Sequence, residues 1–163
     1  MCYISIIAAV AKNYAIGKNN DLLCHIPGDL KRFKELTTKH AVIMGRHTFE
    51  SIPIKPLPNR KNIVITSLPE HIVDGCLAAD SIEDALELAG KEKEVFIIGG
   101  GSIYKQAIKK ADRLYLTWIN QELDGDVFFP AINFDEWKET FREDHEADEK
   151  SPFSFSFVNY ERK

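Results

Sequence analysis

The order of apolar and polar positions predicts alternating strands and helices over most of the chain. Short apolar runs rich in β-branched residues, typical of buried strands, occupy residues 3–11, 40–45, 61–67, 75–80, 94–101 and 112–120. Between them, the spacing of apolar residues predicts helices at 28–37, 46–52, 81–90 and 102–111, with Ser81 as an N-cap and Gly90 as a helix stop. This alternation is typical of βαβ units, which build a mostly parallel sheet with right-handed crossovers.

The C-terminal part of the chain follows a different pattern. Residues 136–144 and 153–163 alternate apolar and polar positions with a period of two, as half-buried antiparallel strands do. Residues 54–60 contain two prolines, which favour a loop. Because we find no repeat and no linker, the sequence predicts a single α/β domain over residues 1–163, with an antiparallel edge on a mostly parallel sheet.

Composition narrows the class of protein. The chain has 163 residues, 44% hydrophobic and 28% charged, with a net charge of −4, as expected of a folded domain. An acidic chain lacks the basic excess that nucleic-acid binding needs, and no apolar run reaches the roughly 20 residues of a membrane span. The five histidines lack metal-ligand spacing, and three separated cysteines (Cys2, Cys24 and Cys76) favour reduced thiols. We therefore expect a cytoplasmic protein without a bound metal, nucleic acid or membrane.

Two strand-to-helix junctions carry residues that suit phosphate binding. The segment FIIGGGSIY (96–104) has three glycines before a helix, and IMGRHTFES (43–51) leads through Gly45 into Arg46, His47 and Thr48. Glycine lets backbone N–H groups approach a pyrophosphate, a helix N-terminus favours an anion, and arginine can clamp a phosphate. A plain tight turn and a capped helix with a surface arginine are the alternatives. With Ser67 as a further polar contact, the two junctions favour a ligand with several phosphates, and the separate arginine favours NADP over NAD.

Asp29 lies on the apolar side of its predicted helix. At about 100° per residue, Asp29 shares an arc with Phe33 and Leu36, and the opposite side carries Lys31, Arg32, Lys34 and Glu35. The acid is either a helix N-cap or a half-buried carboxylate, whose pKa desolvation raises, that recognises a flat, nitrogen-rich ligand. The residue three positions later is an arginine, so no capping box closes.

Seven segments, in this order over nearly the whole chain, together resemble bacterial chromosomal dihydrofolate reductase: ISIIAAVAKNYAIG, IPGDLKRFK, VIMGRHTFESI, PLPNRKNIVIT, IIGGGSIY, LYLTWI and DGDVFFP. The resemblance implies an eight-stranded mixed sheet flanked by helices. NADPH would lie across the carboxyl ends of the strands, with dihydrofolate in the cleft beside it. The implied reaction moves a hydride from nicotinamide C4 to pterin C6 and adds a proton at N5, giving tetrahydrofolate for one-carbon metabolism.

The resemblance also implies roles for single residues on the substrate side. Asp29 would bind the 2-amino group and N3 of the pterin and promote protonation, with Thr117 hydrogen-bonded to it and Leu22 in the same catalytic set. Arg60, by its spacing alone either a surface arginine or a carboxylate clamp, would hold the α-carboxylate of the substrate's glutamate. The residues lining the substrate pocket would be Ile7, Leu30, Phe33, Ile52, Leu57, Ile98 and Tyr104.

On the cofactor side, the resemblance implies that Ala9, Ile16 and Asn20 border the nicotinamide, with Gly17 beside them. The phosphate and adenosine contacts would be Gly45, Arg46, His47, Thr48, Thr66 and Ser67. The glycine turn would contribute Ile98, Gly99, Gly100, Gly101, Ser102, Ile103 and Tyr104, with a cis peptide between Gly99 and Gly100, and residues 15–24 would form a mobile loop over the nicotinamide.

One position departs from the family pattern. Cys24 stands where the family usually has a tryptophan whose indole N–H helps to hold an ordered water near the pterin. A thiol is smaller and a weaker donor. We expect the hydride geometry to be unaffected, and any difference to concern proton delivery and the fit of bulky antifolates.

Two other hypotheses remain at this point. A pyrimidine reductase of flavin synthesis resembles the same fold, although its substrate has no glutamate tail for Arg60 to hold. A non-catalytic NADP-binding or RNA-binding module is the second, against which the pairing of Asp29 with Thr117 and the acidic charge both argue. The resemblance further implies a monomer.

Overall fold

The structure, a computed structural model, describes residues 2–18, 21–22, 26–52, 55–71 and 74–163. Its strands are β1 (Tyr3–Ala11), β2 (Ala15–Lys18), β3 (Asp21–Leu22), β4 (Ala41–Gly45), β5 (Lys61–Ile65), β6 (Cys76–Ala79), β7 (Glu94–Gly99), β8 (Arg113–Ile119), β9 (Val127–Phe128), β10 (Trp137–His145) and β11 (Phe155–Arg162). Its helices are α1 (Pro27–Thr37), α2 (Arg46–Ser51), α3 (Ile82–Ala89) and α4 (Gly101–Ala107), with a short 3-10 helix at Pro69–His71.

In the described part of the chain, eight strands form one sheet in the order β10-β11-β8-β1-β7-β4-β5-β6. The six strands from β8 to β6 pair in parallel. Strands β11 and β10 add antiparallel pairs at one edge. The predicted mixed sheet with an antiparallel C-terminal edge is therefore confirmed.

The central strands owe their apolar sequences to burial. Ile6, Val10, Ile43 and Ile97 on β1, β4 and β7 are 0% exposed, because the central strands of such a sheet are covered on both faces. Since the strands run in parallel, their carboxyl ends meet at one edge, the usual place for a ligand in an open α/β sheet. No described helix combines the length and apolar character needed to cross a membrane.

Local signals predicted most helix ends. The Ser81 side chain caps α3 by accepting a hydrogen bond from the Asp84 N–H, and Gly90 ends the helix at φ 74°. The prediction of a helix over 102–111 was too long. Helix α4 begins at Gly101 and ends at Ala107, because the chain then turns so that the N–H groups of Lys110 and Ala111 both bond the Ala107 carbonyl before β8.

A second, small sheet was not predicted. Strands β3, β2 and β9 pair in that order, and β2 and β3 lie within the segment expected to be a loop. Elements of two to four residues are too short to show a hydrophobic period, so only their pairing reveals them.

Candidate active site

The carboxyl ends of the parallel strands border a cavity of about 580 Å³. Among the described residues, every position expected to contact the cofactor lines this cavity: Ala9, Ile16, Gly17, Gly45, Arg46, His47, Thr48, Thr66, Ser67, Ile98, Gly99, Gly100, Gly101, Ser102, Ile103 and Tyr104. Asn20 lies outside the described residues. The fold thus brings together positions that are up to about 95 residues apart in the chain.

Sequence reasoning missed further lining residues, namely Ala8, Lys18, Ser51, Ile65, Asp80 and Val127. Asp80 directly follows β6, and β6 pairs with β5 at the sheet edge. No local pattern marks this aspartate. Only the strand order could have shown that Asp80 and Arg46 both lie at the carboxyl ends of the parallel strands.

The glycine turn between β7 and α4 fits a close approach of a phosphate-bearing ligand. Gly99 has a φ of 127°, and a Cβ there would lie 3.1 Å from Thr48 Oγ1. A Cβ on Gly101 would lie 2.6 Å from Val127 Cγ1. The Gly99–Gly100 peptide is cis, as the resemblance implied. Side chains would therefore fill the space that the bare backbone leaves beside the cavity, a feature common to pyrophosphate sites.

A cation and several hydroxyl groups complete the same cavity. Arg46 is half-buried at the start of α2 and forms an ion pair with Glu50 over 3.5 Å. Thr48, Thr66 and Ser67 line the cavity with it. A guanidinium among hydroxyl and amide donors favours an anionic ligand, and a phosphate in particular.

Asp29 faces the sheet from the first turn of α1. Thr117 on β8 is 2% exposed and donates a hydrogen bond from Oγ1 to Asp29 Oδ1 over 2.5 Å. The N-cap residue of α1 is Ile26, and no side chain caps the helix by a hydrogen bond. The N-cap interpretation of Asp29 is therefore wrong, and its position on the apolar arc is confirmed.

Burial of Asp29 changes its acidity. Desolvation raises the pKa of the Asp29 carboxyl above its ordinary value, while the hydrogen bond from Thr117 and the charge of Arg32 lower it. The net result is a raised pKa. Such a carboxyl holds its proton at a higher pH than an exposed aspartate, as groups that take part in proton transfer often do.

The expected substrate pocket largely coincides with one apolar cluster. Its members include Ile7, Phe33, Ile52, Leu57 and Ile98. Leu30, expected in the same pocket, is 53% exposed. Tyr104 is buried and donates a hydrogen bond from its hydroxyl to the Ile7 carbonyl over 2.8 Å, so its polar end is already satisfied within the protein. For Leu22, only the backbone is described.

Arg60 is held at the C-terminal end of α1. Its Nη1 donates to Thr37 Oγ1 over 3.0 Å, and its Nε donates to the Pro58 carbonyl over 2.9 Å. The guanidinium carbon lies 5.9 Å from the centre of the Phe33 ring. Thr37 is 0% exposed. These contacts orient the arginine beside the apolar cluster, unlike a free surface side chain.

Buried Asn62 organises the loop that carries Arg60. Asn62 is 2% exposed, accepts a hydrogen bond from the Leu57 N–H and donates to the carbonyls of Leu57 and Arg60, each over 2.9 Å. Sequence reasoning missed Asn62 and Thr37, because neither forms part of a recognisable motif and each acts through a neighbour in space.

The helical projection placed Arg32 on the solvent side of α1, and this prediction is wrong. Its guanidinium carbon lies 4.6 Å from the centre of the Phe157 ring, and its Nη2 donates to Asn159 Oδ1. The helix lies against both β8 and β11, so its buried face is wider than the apolar residues alone indicate. A long polar side chain can cover apolar surface in this way while it keeps its charge.

Backbone and side-chain contacts connect β2 to residues 124–126. The Asp126 N–H donates to the Gly17 carbonyl over 2.9 Å, and Lys18 forms an ion pair with Asp124. The part of the expected mobile loop that is described therefore has a defined partner segment. The rest of that loop, residues 19–20 and 23–24 with Cys24 among them, lies outside the described residues.

Comparisons with known proteins agree with this geometry. A family model described as dihydrofolate reductase matches residues 3–162. The dihydrofolate reductase of Bacillus subtilis (strain 168) is 46% identical over 160 residues, covering 98% of this chain and 95% of that protein. The Haemophilus influenzae dihydrofolate reductase is also 46% identical over 160 residues, with 98% of each chain covered.

A solved structure shows the same architecture. The dihydrofolate reductase from Enterococcus faecalis, complexed with NADP(H) and RAB-propyl, superposes with a TM-score of 0.89 at 37% sequence identity. The superposition covers 99% of this chain and 96% of that chain.

Proposed function

This chain belongs to the dihydrofolate reductase family, and we propose that Asp29, held by Thr117, is the residue that binds the pterin and promotes its protonation. The protein is an enzyme that reduces dihydrofolate with NADPH. Family membership decides against the pyrimidine reductase of flavin synthesis and against a non-catalytic module. The observation that carries the proposal is the half-buried Asp29 carboxylate, which accepts a hydrogen bond from buried Thr117 and lies one helical turn before Phe33 of the apolar cluster.

The chemistry of the pterin suits such a carboxylate. The 2-amino group and N3 present neighbouring N–H donors, and the two oxygens of a carboxylate can accept both bonds. NADPH, when bound, supplies the hydride for the reduction. Burial raises the pKa of Asp29 above that of an exposed aspartate, so the group holds its proton to a higher pH, as groups that take part in proton transfer often do.

Other residues would orient the substrate. We propose that Ile7, Phe33, Ile52, Leu57 and Ile98, which share one apolar cluster, pack against the pterin and benzoyl rings and exclude water. Arg60, fixed by Thr37 and Pro58, would hold the glutamate carboxylate through its remaining N–H donors. The substrate would then be held at both ends, with its reactive ring beside Asp29.

The cavity at the strand ends would hold the cofactor. Arg46, Thr48 and Ser67 are proposed to bind its phosphate groups, with the backbone of Gly99 and Gly100 close to the pyrophosphate. The support is that all five residues line one cavity and that a Cβ at Gly99 or Gly100 would lie 3.1 or 3.2 Å from Thr48 Oγ1.

The variant Asp29→Asn tests the central proposal. The loss of NADPH absorbance that depends on dihydrofolate should fall by about 10²–10⁴-fold at pH 7. Activity should recover in part as the pH falls, because substrate that is already protonated needs less help. The affinity for NADPH, measured by fluorescence titration, should stay within about twofold, since Asp29 does not line the cofactor cavity.

A matched control is Glu35→Gln, which removes a carboxylate from an exposed position of the same helix. We expect its turnover to equal that of the wild-type protein. Turnover of Asp29→Asn close to wild type at pH 7 would contradict the proposed role.

We also propose that residues 1–163 act as one domain, in a cytoplasmic monomer. Cys2 and Cys76 are free thiols, which is in keeping with a reducing compartment. Light scattering coupled to size-exclusion chromatography would measure the mass of the particle, and cell fractionation would locate it. A dimer mass, or recovery in a non-cytoplasmic fraction, would contradict these proposals.

A further inference from the structure

Arg32 lies one helical turn after Asp29, and we propose that it is a positioning residue that sets the pH range of the reduction by holding a fixed positive charge beside Asp29. This inference rests on the proposed role of Asp29. It concerns a residue that the helical projection placed on the solvent side and that the cofactor cavity does not include.

Two residues of β11 hold the Arg32 guanidinium. Its carbon lies 4.6 Å from the centre of the Phe157 ring, within the range of a cation–π contact. Its Nη2 donates to Asn159 Oδ1. Phe157 and Asn159 are two residues apart on one strand, so their side chains point to the same face of the sheet. The guanidinium is therefore fixed from two sides.

Strand register connects this contact to Asp29. Thr117 on β8 is the cross-strand partner of Phe157 on β11, so the two side chains are neighbours on one face of the sheet. Thr117 bonds Asp29, and Phe157 contacts Arg32. Residues three apart on a helix are also neighbours. Two adjacent strands thus hold the carboxylate and the guanidinium side by side.

Among the described residues, the other charged and titratable groups that act on this pair lie on three elements. Glu143 on β10, the cross-strand partner of Phe157, and Tyr115 on β8, the partner of Asn159, act on Arg32. The Asp29 charge also acts on Tyr104 of α4, and burial and this charge both raise the pKa of the tyrosine. Glu143 also contacts His145 Nε2 over 2.6 Å. The charges of two carboxylates, Asp29 and Glu143, therefore both act on Arg32.

The sign of the effect follows from these charges. Desolvation raises the pKa of Asp29, and the positive charge of Arg32 opposes that rise. An arginine keeps its charge throughout the working pH range. Without this charge, Asp29 would keep its proton to a higher pH. The pH at which kcat has fallen to half of its maximum, the alkaline midpoint, would therefore be higher. Neutralising Glu143 would lower this midpoint, because it removes a negative charge that acts beside Arg32.

The experiment compares pH profiles of kcat for Arg32→Gln, Arg32→Lys and the wild-type enzyme, with both dihydrofolate and NADPH saturating. We expect Arg32→Gln to move the alkaline midpoint upward by about one pH unit. Arg32→Lys keeps the positive charge, so its midpoint should shift by no more than half as much as that of Arg32→Gln. The matched control is Lys31→Gln, which removes the same charge from the exposed neighbouring position of α1 and should leave the midpoint unchanged.

A second variant provides a test that does not depend on Arg32 itself. Glu143→Gln should move the midpoint to lower pH, by less than Arg32→Gln moves it upward. Thermal melting and NADPH affinity show whether each variant is folded. If Arg32→Gln does not fold, the Glu143→Gln and Arg32→Lys profiles decide, and a midpoint of Glu143→Gln at or above the wild-type value overturns the proposal.

The results separate this inference from the proposed function. Suppose that Asp29→Asn loses activity but Arg32→Gln leaves the midpoint unchanged, or that Lys31→Gln shifts the midpoint as much as Arg32→Gln does. In either case the inference about Arg32 is wrong, and the proposed role of Asp29 still holds. If Asp29→Asn is as active as the wild type at pH 7, the role of Asp29 fails, and the inference about Arg32 fails with it.

Discussion

Thr117 and Asp29 join strand β8 to helix α1 through a hydrogen bond of 2.5 Å between Oγ1 and Oδ1. Thr117 is 2% exposed, so its hydroxyl group has few alternative hydrogen-bond partners. This bond fixes the direction of the carboxylate and lowers its pKa against the effect of desolvation.

The variant Thr117→Val should therefore change both stability and acidity. The free energy of unfolding should fall by about 1–2 kcal/mol, because a buried carboxylate loses its donor. The alkaline midpoint of kcat should move to higher pH, since Asp29 would keep its proton longer. Thr117→Ser retains the hydroxyl and serves as the control. Equal midpoints for valine and serine would show that the bond has no influence on the Asp29 carboxyl.

The raised pKa of Asp29 predicts a particular dependence of stability on pH. Because the folded protein binds this proton more tightly than the unfolded chain, the contribution of Asp29 is fully present below the ordinary pKa of an aspartate. It is lost as the pH rises through the raised value. Without ligands, Asp29→Asn should then have a higher free energy of unfolding than the wild type at pH 7, and the difference should disappear in acid. Denaturant titrations at several pH values measure it, and a less stable variant at pH 7 would contradict the raised pKa.

Replacement of Arg60 should weaken substrate binding more than it slows turnover. Arg60→Lys removes the planar pair of donors that matches a carboxylate, so the KM for dihydrofolate should rise about 10-fold or more while kcat changes little. Lys34→Gln, on the exposed side of α1, is the control for a lost positive charge. An unchanged KM for Arg60→Lys would return this arginine to a structural role.

The charges at the cofactor cavity predict how the enzyme selects between nicotinamide cofactors. Arg46→Gln should weaken binding of NADPH by about 10–100-fold and leave the affinity for NADH nearly unchanged, because only NADPH carries the 2′-phosphate. Asp80 lines the same cavity, and an acid there repels that phosphate. Asp80→Asn should therefore tighten NADPH binding relative to NADH. Fluorescence titration of both cofactors tests the pair, and parallel changes for NADPH and NADH would contradict this assignment.

Close packing at Gly101 predicts that a single methyl group disturbs the cavity. The Cβ of Gly101→Ala would lie 2.6 Å from Val127 Cγ1, so the Val127 side chain or strand β9 must shift. We expect a lower affinity for NADPH and a lower melting temperature. Gly28→Ala is the control, because its Cβ would meet its nearest neighbour at 3.8 Å, an ordinary contact. Equal affinities for both variants would show that β9 yields without cost to the cavity.

Much of the framework was predicted because its signals are local. Runs of β-branched residues predicted β1 as Tyr3–Ala11 without error, since a strand buried on both faces needs apolar residues at consecutive positions. Ser81 and Gly90 marked the ends of α3 because a cap acts within one helical turn. The glycine turn was recognised because the backbone conformation there excludes other side chains.

Other features depended on which elements meet in space. Arg32 looked solvated because a helical projection shows one helix, whereas α1 lies across two strands and their register places Phe157 beneath it. Asp80 lines the cavity only because of the strand order. Thr37 and Asn62 support Arg60 through hydrogen bonds that no sequence motif marks. The sequence by itself determined the elements and the residue types at the site. Only the tertiary structure decided which side chains share a low-dielectric environment, because burial and strand register depend on the packing of the whole chain.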